Sequence, residues 1–260
     1  MFKAMSRTIV ESKLLPVEKR KFDAAKDKAL VPWLENSKWE RYPRNKAKDE
    51  ECCPLRFLLK YKMEGTEQMA SARVILQGFK HIDVLSKKPD VESPTMPGRG
   101  RHTIYFWAVT KGWKLFGADV KSAFLQSEDI VENQGLRIFG VPSADMRRRL
   151  EPMMGLRPDE VLLMRKPPFG DPRAPRLWNS TFSTAMSDLA FVTHPLENCV
   201  FLSTRLARKD DDPFEVFHVD DKKRVVDGLL GLHVDDYLGL GENVNSQKDI
   251  EIDPDARLWL

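Results

Sequence analysis

The sequence predicts an α+β fold, and three observations carry that expectation. Apolar strand-like runs broken by a polar turn occupy residues 55–79. A helix-period apolar face runs through RLWNSTFSTAMSDLAF, and a hairpin pattern, VVDGLLGLHVDDYLGLGE, follows it. With 42% hydrophobic and 9% aromatic residues among 260, the chain can build one large core or two small ones.

Residues 1–50 are dense in Lys, Glu, Asp and Arg without a sustained period, so they are expected as a helical or partly disordered lead-in. LRFLLKYKM and ASARVILQGF, separated by a polar turn, read as a basic hairpin. Residues 86–101 hold Pro89, Pro94, Pro97, Gly98 and Gly100 and read as a loop; HTIYFWAVTKG behind them suits a buried helix stopped at Gly112. KLFGADV is expected as a strand ending at Asp119, with SAFLQ as a turn or helix start. Residues 128–149 look polar and irregular around the short apolar piece LRIFGVP, and VLLMRK reads as a strand. The turn FGDPRAP leads into a helix that places Leu177, Trp178, Phe182, Met186 and Leu189 on one face. CVFLS and FEVFHV read as strands around a charged loop at residues 205–212. Asp235 and Asp236 then sit at the tip of the last hairpin, where Asp is tolerated because it can bond its own backbone.

Charge is uneven along the chain. Residues 1–101 hold 22 Lys+Arg against 14 Asp+Glu, and residues 102–260 hold 20 against 25. Such a division suits a protein with one part for phosphates and another that gathers carboxylates around cations, and plain unevenness of surface charge is the alternative reading. No apolar run approaches the roughly 20 residues of a membrane helix, so no membrane span is expected. Three cysteines and no signal-like N-terminus lead to the expectation of a reducing intracellular setting, cytoplasmic or nuclear.

A solvated hairpin tip is the plain reading of adjacent Asp235 and Asp236, but strongly apolar strands bracket them, a place where carboxylates need a reason, and bound divalent cations supply one. Asp119 ends another apolar strand and offers the complementary half of an oxygen-rich site. Such ligands suit Mg²⁺, and two ions about 3.5–4 Å apart can serve phosphoryl transfer. The adjacent Cys52 and Cys53 and the lone Cys199 give no zinc spacing, and the five histidines form no metal-binding pair.

The blocks ARVILQGF, ESPTM, GWKLFGADVKSAFL, PFGDPRAPRLWNSTF, LENCVFL and GLHVDDYL occur in the order seen in copia-type LTR-retrotransposon reverse transcriptases. The chain resembles that family across residues 55–241, most closely at DVKSAFL and HVDD. The resemblance implies a right-hand polymerase: a palm with a four-stranded antiparallel sheet and packed helices, plus a fingers subdomain. It implies that Asp119, Asp235 and Asp236 are the catalytic residues, with Asp119 and Asp235 as direct ligands of two Mg²⁺ ions, Asp236 assisting and the Val120 carbonyl completing one shell. Mn²⁺ is the expected substitute. Phe124 falls where the family places an aromatic that excludes a 2′-hydroxyl, and ordinary core packing is the alternative reading. Arg73 matches a basic fingers position able to grip a triphosphate, with a plain surface arginine as its alternative. Phe169 and Gly170 match residues near the nascent base pair. The implied partners are an RNA or DNA template with its primer, and a dNTP.

The match has departures. His233 stands where the family commonly has Tyr, and PFGDPRAP replaces the usual apolar and basic residues with Asp171 and Pro172. Only 24 residues follow Asp236, so the expected organisation is a lead-in over 1–54, fingers and palm over 55–241, and a tail over 242–260 without a thumb. Protease, integrase and ribonuclease H segments are not seen. Three functions remain open at this level: an RNA-directed DNA polymerase, a catalytically inactive nucleic-acid-binding remnant of a retroelement, and an unrelated two-metal phosphatase or nuclease.

Overall fold

The computed structural model describes residues 8–35, 38–86, 91–219 and 221–242; the tail expected over 242–260 lies almost wholly outside them. In chain order the elements are α1 (Pro16–Leu34), β1 (Trp39–Pro43), β2 (Cys52–Glu64), β3 (Glu67–Leu76), α2 (Ile82–Ser86), α3 (Gly98–Lys111), β4 (Lys114–Asp119), α4 (Ile130–Gln134), β5 (Phe139–Pro142), α5 (Ala144–Met154), β6 (Glu160–Met164), α6 (Ala174–Asp188), β7 (Val192–His194), β8 (Glu197–Leu206), β9 (Phe217–Val219), β10 (Lys222–His233) and β11 (Asp236–Gly241). The described residues therefore form an α+β fold with two sheets and six α-helices. No helix among them is long and apolar enough to cross a membrane.

The chain divides into two compact units, each made of two chain segments. The first comprises Met1–Val91 and Glu128–Ala174. Its sheet has the order β1-β6-β5-β2-β3, antiparallel except for the parallel pair β2 and β5. Leu55, Phe139, Leu162 and Met164 are its buried centre. Helix α1 starts with Pro16 at its first turn and the Glu18 carboxylate accepting the Leu15 N–H. It lies against the β2–β3 hairpin, where Phe22 meets Tyr61 with ring centroids 5.1 Å apart. The hairpin itself follows the sequence expectation.

Two segments of this unit differ from expectation. Trp39–Pro43, expected within a helical or partly disordered lead-in, is an edge strand; its charged, Pro-ended sequence has no apolar alternation, and pairing with β6 decides it. Residues 128–149 are ordered as α4, β5 and the start of α5 rather than irregular. The signals there were local caps. The Asp129 side chain accepts the N–H groups of Val131 and Glu132, the Ser143 side chain accepts that of Met146, and Gly135 and Gly155 end the helices in left-handed conformation.

The second unit comprises Glu92–Ser127 and Pro175–Leu260. Its sheet is wholly antiparallel in the order β4-β11-β10-β8-β7, with β9 beside β10. Six strands stand where four were expected, because the three-residue strands β7 and β9 add to the margins. Only Phe217–Val219 of FEVFHV is extended within a sheet. Trp178, Phe182 and Met186 of α6 pack on Phe201, Leu230, Leu232 and Tyr237, whereas Ile104 and Ala108 of α3 pack on Val200, Leu229 and Leu240. Consecutive Leu229 and Leu230 join different clusters, so the two helices cover opposite faces. The α6 face is narrower than expected, since Leu189 is exposed and Leu177 half-buried. Helix α3 ends at Gly112 as expected, but it begins at Gly98, inside the expected loop, and only one side of it is buried: Tyr105, Phe106 and Val109 face outward.

Candidate metal centre

Register brings the three aspartates together. Strand β4 pairs with β11 so that Asp119 stands opposite Asp236, and residues opposite one another in an antiparallel pair share a face. His233 pairs with Asp236 and closes the β10–β11 hairpin over the two residues Val234 and Asp235. The turn tip therefore lies one residue earlier than expected, with Asp236 already in the strand. One carboxylate oxygen from each of Asp119, Asp235 and Asp236 lies within 4.8 Å of the others. Asp119 and Asp236 are exposed and Asp235 is half-buried.

The turn is held from two sides. The Val120 N–H donates to the Asp235 carbonyl at 2.7 Å, and the fully buried Trp178 indole N–H donates to the Val234 carbonyl at 2.6 Å. Val234 has φ +61°, a left-handed conformation that disfavours a β-branched side chain and that glycine usually fills at the first position of such turns. Ser122, just past β4, is also left-handed at φ +55° and leads into the tight turn Ala123–Gln126. Backbone strain thus flanks the acidic group on both chain segments.

The donor set is all oxygen and open to water, which fits a hard cation such as Mg²⁺ that keeps several of its own waters. Two ligands of one Mg²⁺ are at most about 4.2 Å apart, so small side-chain rotations suffice to bring these oxygens onto an ion. Three carboxylates this close repel one another, and a divalent cation among them relieves that repulsion.

Other expected site residues fall in two places. Val120 is buried beneath the aspartates, and Phe124 is half-buried against the same core cluster as Trp178 and Tyr237. His233 is exposed at the end of β10. Arg73, Phe169 and Gly170 belong to the first unit and form their own group. The exposed Arg73 guanidinium lies over the Phe169 ring, 4.7 Å from its centroid. Leu76 N–H donates to the Phe169 carbonyl at 2.7 Å, and Gly170 has φ +93°. A Cβ at Gly170 would stand 2.1 Å from the Leu76 carbonyl oxygen, so only glycine fits.

Asp171 is one of the departures from the resembled block. In the structure Asp171 is buried and accepts from the Arg173 guanidinium through both oxygens, at 2.9 and 3.0 Å, and from the Arg173 N–H. It braces the turn next to Phe169 and Gly170. The Trp178 bond to the hairpin was also not foreseen, since nothing in a helix pattern says which strand turn an indole will reach.

The thiols sit apart from this chemistry. Burial pushes Cys53 and Cys199 up to about 11, so both stay protonated at neutral pH. No protein-family model matches the chain, and no curated protein does.

Proposed function

We propose that this chain is the palm-and-fingers part of a copia-type RNA-directed DNA polymerase. The convergence of Asp119, Asp235 and Asp236 from two distant segments carries the reading. In it, the second unit is the palm and the first the fingers. Asp119 and Asp235 hold two Mg²⁺ ions with Asp236 assisting, and the primer 3′-hydroxyl attacks the α-phosphate of a dNTP and releases pyrophosphate. Bound magnesium supplies activation of the attacking hydroxyl and charge stabilisation on the leaving oxygen. Arg73, Phe169 and Gly170 are assigned to nucleotide binding on the family resemblance.

One observation favours a second reading, binding without catalysis. On the β2–β3 hairpin, Arg56, Lys60, Lys62 and Arg73 share one face by strand alternation, opposite the face that carries Phe57 and Tyr61 against α1. Such a row suits a phosphate backbone whatever the acidic site does.

Primer extension on an RNA template with Mg²⁺, with Asp235→Ala as control, separates the readings. Extension by the wild type and a loss of at least about a thousandfold in the variant are expected. No extension by either protein, with salt-sensitive binding retained, leaves the second reading. Release of nucleotides or phosphate without primer growth points instead to a two-metal nuclease or phosphatase.

A further inference from the structure

The geometry points to Trp178 as the positioning residue for the turn that carries Asp235, an inference that rests on the metal-site reading for its catalytic meaning. A two-residue hairpin turn with a left-handed valine is a conformation that the local sequence resists. Something must over-determine it. The Val234 carbonyl accepts the Trp178 indole N–H at 2.6 Å, and the next carbonyl, that of Asp235, accepts the Val120 N–H at 2.7 Å. The two donors pin consecutive peptide groups, one from α6 and one from the residue after Asp119.

Trp178 is suited to this because core packing surrounds it. It is wholly buried, meets Phe182 edge-on at 5.6 Å and belongs to the core cluster that includes Val120, Leu232 and Tyr237. An indole donates only through Nε1, so the bond fixes a direction as well as a distance. Packing of α6 against the sheet is thereby converted into the placement of one carboxylate. Trp178 acts on the acidic site through the turn.

Trp178→Phe removes the donor and keeps a ring, and Phe182→Leu removes packing from the same cluster while leaving the hydrogen bond. Amide hydrogen exchange reads the turn without any need for metal. In Trp178→Phe the Val120 amide is expected to exchange several-fold to about tenfold faster relative to Leu202 and Leu229 in the same sheet. In Phe182→Leu all three are expected to accelerate together. Mn²⁺ affinity, followed by its paramagnetic signal, is expected to fall several-fold in Trp178→Phe and to hold in Phe182→Leu. If Val120 in Trp178→Phe accelerates no more than the two reference amides, Trp178 is a core residue only and the inference fails. If Val120 responds as expected but the wild type takes up no Mn²⁺, the clamp stands and the metal-site reading fails.

Discussion

Lys26 carries its charge into the interior of the first unit, with 1% of its surface exposed, and is matched there by Glu11 and by Asp145 at 2.8 Å. Burial pulls Lys26 downward, yet the hydrogen bonds it donates to Asp145 and Glu11, with the charges of those carboxylates, outweigh it and hold the ammonium above its ordinary value. Burial likewise pushes Asp145 upward, but the Lys26 hydrogen bond and the Arg149 charge prevail and hold it below the usual carboxylate range. A depressed carboxylate stabilises the fold above its unfolded value and loses that share as pH falls through its folded value. The Lys26 share, from a raised group, is lost only at strongly alkaline pH. Asp145→Ala is therefore expected to cost about 2 kcal/mol at pH 7, because Lys26 keeps its charge with one partner fewer, and the loss shrinks toward pH 3. Urea unfolding at the two pH values measures it; an equal cost at both would refute the pairing. None of this was legible in the lead-in, where Lys26 is one of many charges and only the approach of α1 to α5 singles it out. The thiols give a second test. Cys53 and Cys199 are expected to resist maleimide at pH 7 until the chain is unfolded, and two fast equivalents in the native protein would contradict their burial.

At the scale of elements, the legible parts were those whose pattern and boundary agreed. The β2–β3 hairpin, strand β4 ending at Asp119, and α6 all follow the expected periods. The missed ones, β1, α4 and α5, are short or charge-dense, and their apolar contribution is one or two residues each, such as Met146 and Leu150 in α5. Helix α6 also shows an end that runs against preference. Ala190 takes φ +62°, with its N–H donating to the Ser187 carbonyl and the Phe191 N–H donating to that of Met186. Glycine is the usual residue there, and Ala190 is exposed, so nothing else depends on its methyl group. Ala190→Gly is expected to stabilise the protein by about 1 kcal/mol, seen as a raised Tm. An unchanged or lower Tm would mean that unfolded-state entropy cancels the relieved strain.

For the whole molecule, the uneven charge of the sequence resolves onto the two units. The first holds 28 Lys+Arg against 21 Asp+Glu, and the second 14 against 18. The acidic site lies in the acidic unit and the basic hairpin in the basic one. Mn²⁺ is expected to raise the Tm at neutral pH by binding the folded state, and the rise should vanish in Asp119→Ala. A rise that survives Asp119→Ala would place the cation elsewhere. Period, turn chemistry and ordered motifs were enough to identify the strand ending at Asp119, the hairpin bearing Asp235 and Asp236, and the α+β class, because these are local properties of a few consecutive residues. The meeting of those segments was not local: it needed the β4–β11 register across more than a hundred intervening positions, the bond from Trp178 to the hairpin, and the division of the chain into two discontinuous units. Such contacts are chosen by the free energy of packing the complete chain, which no short stretch of residues contains.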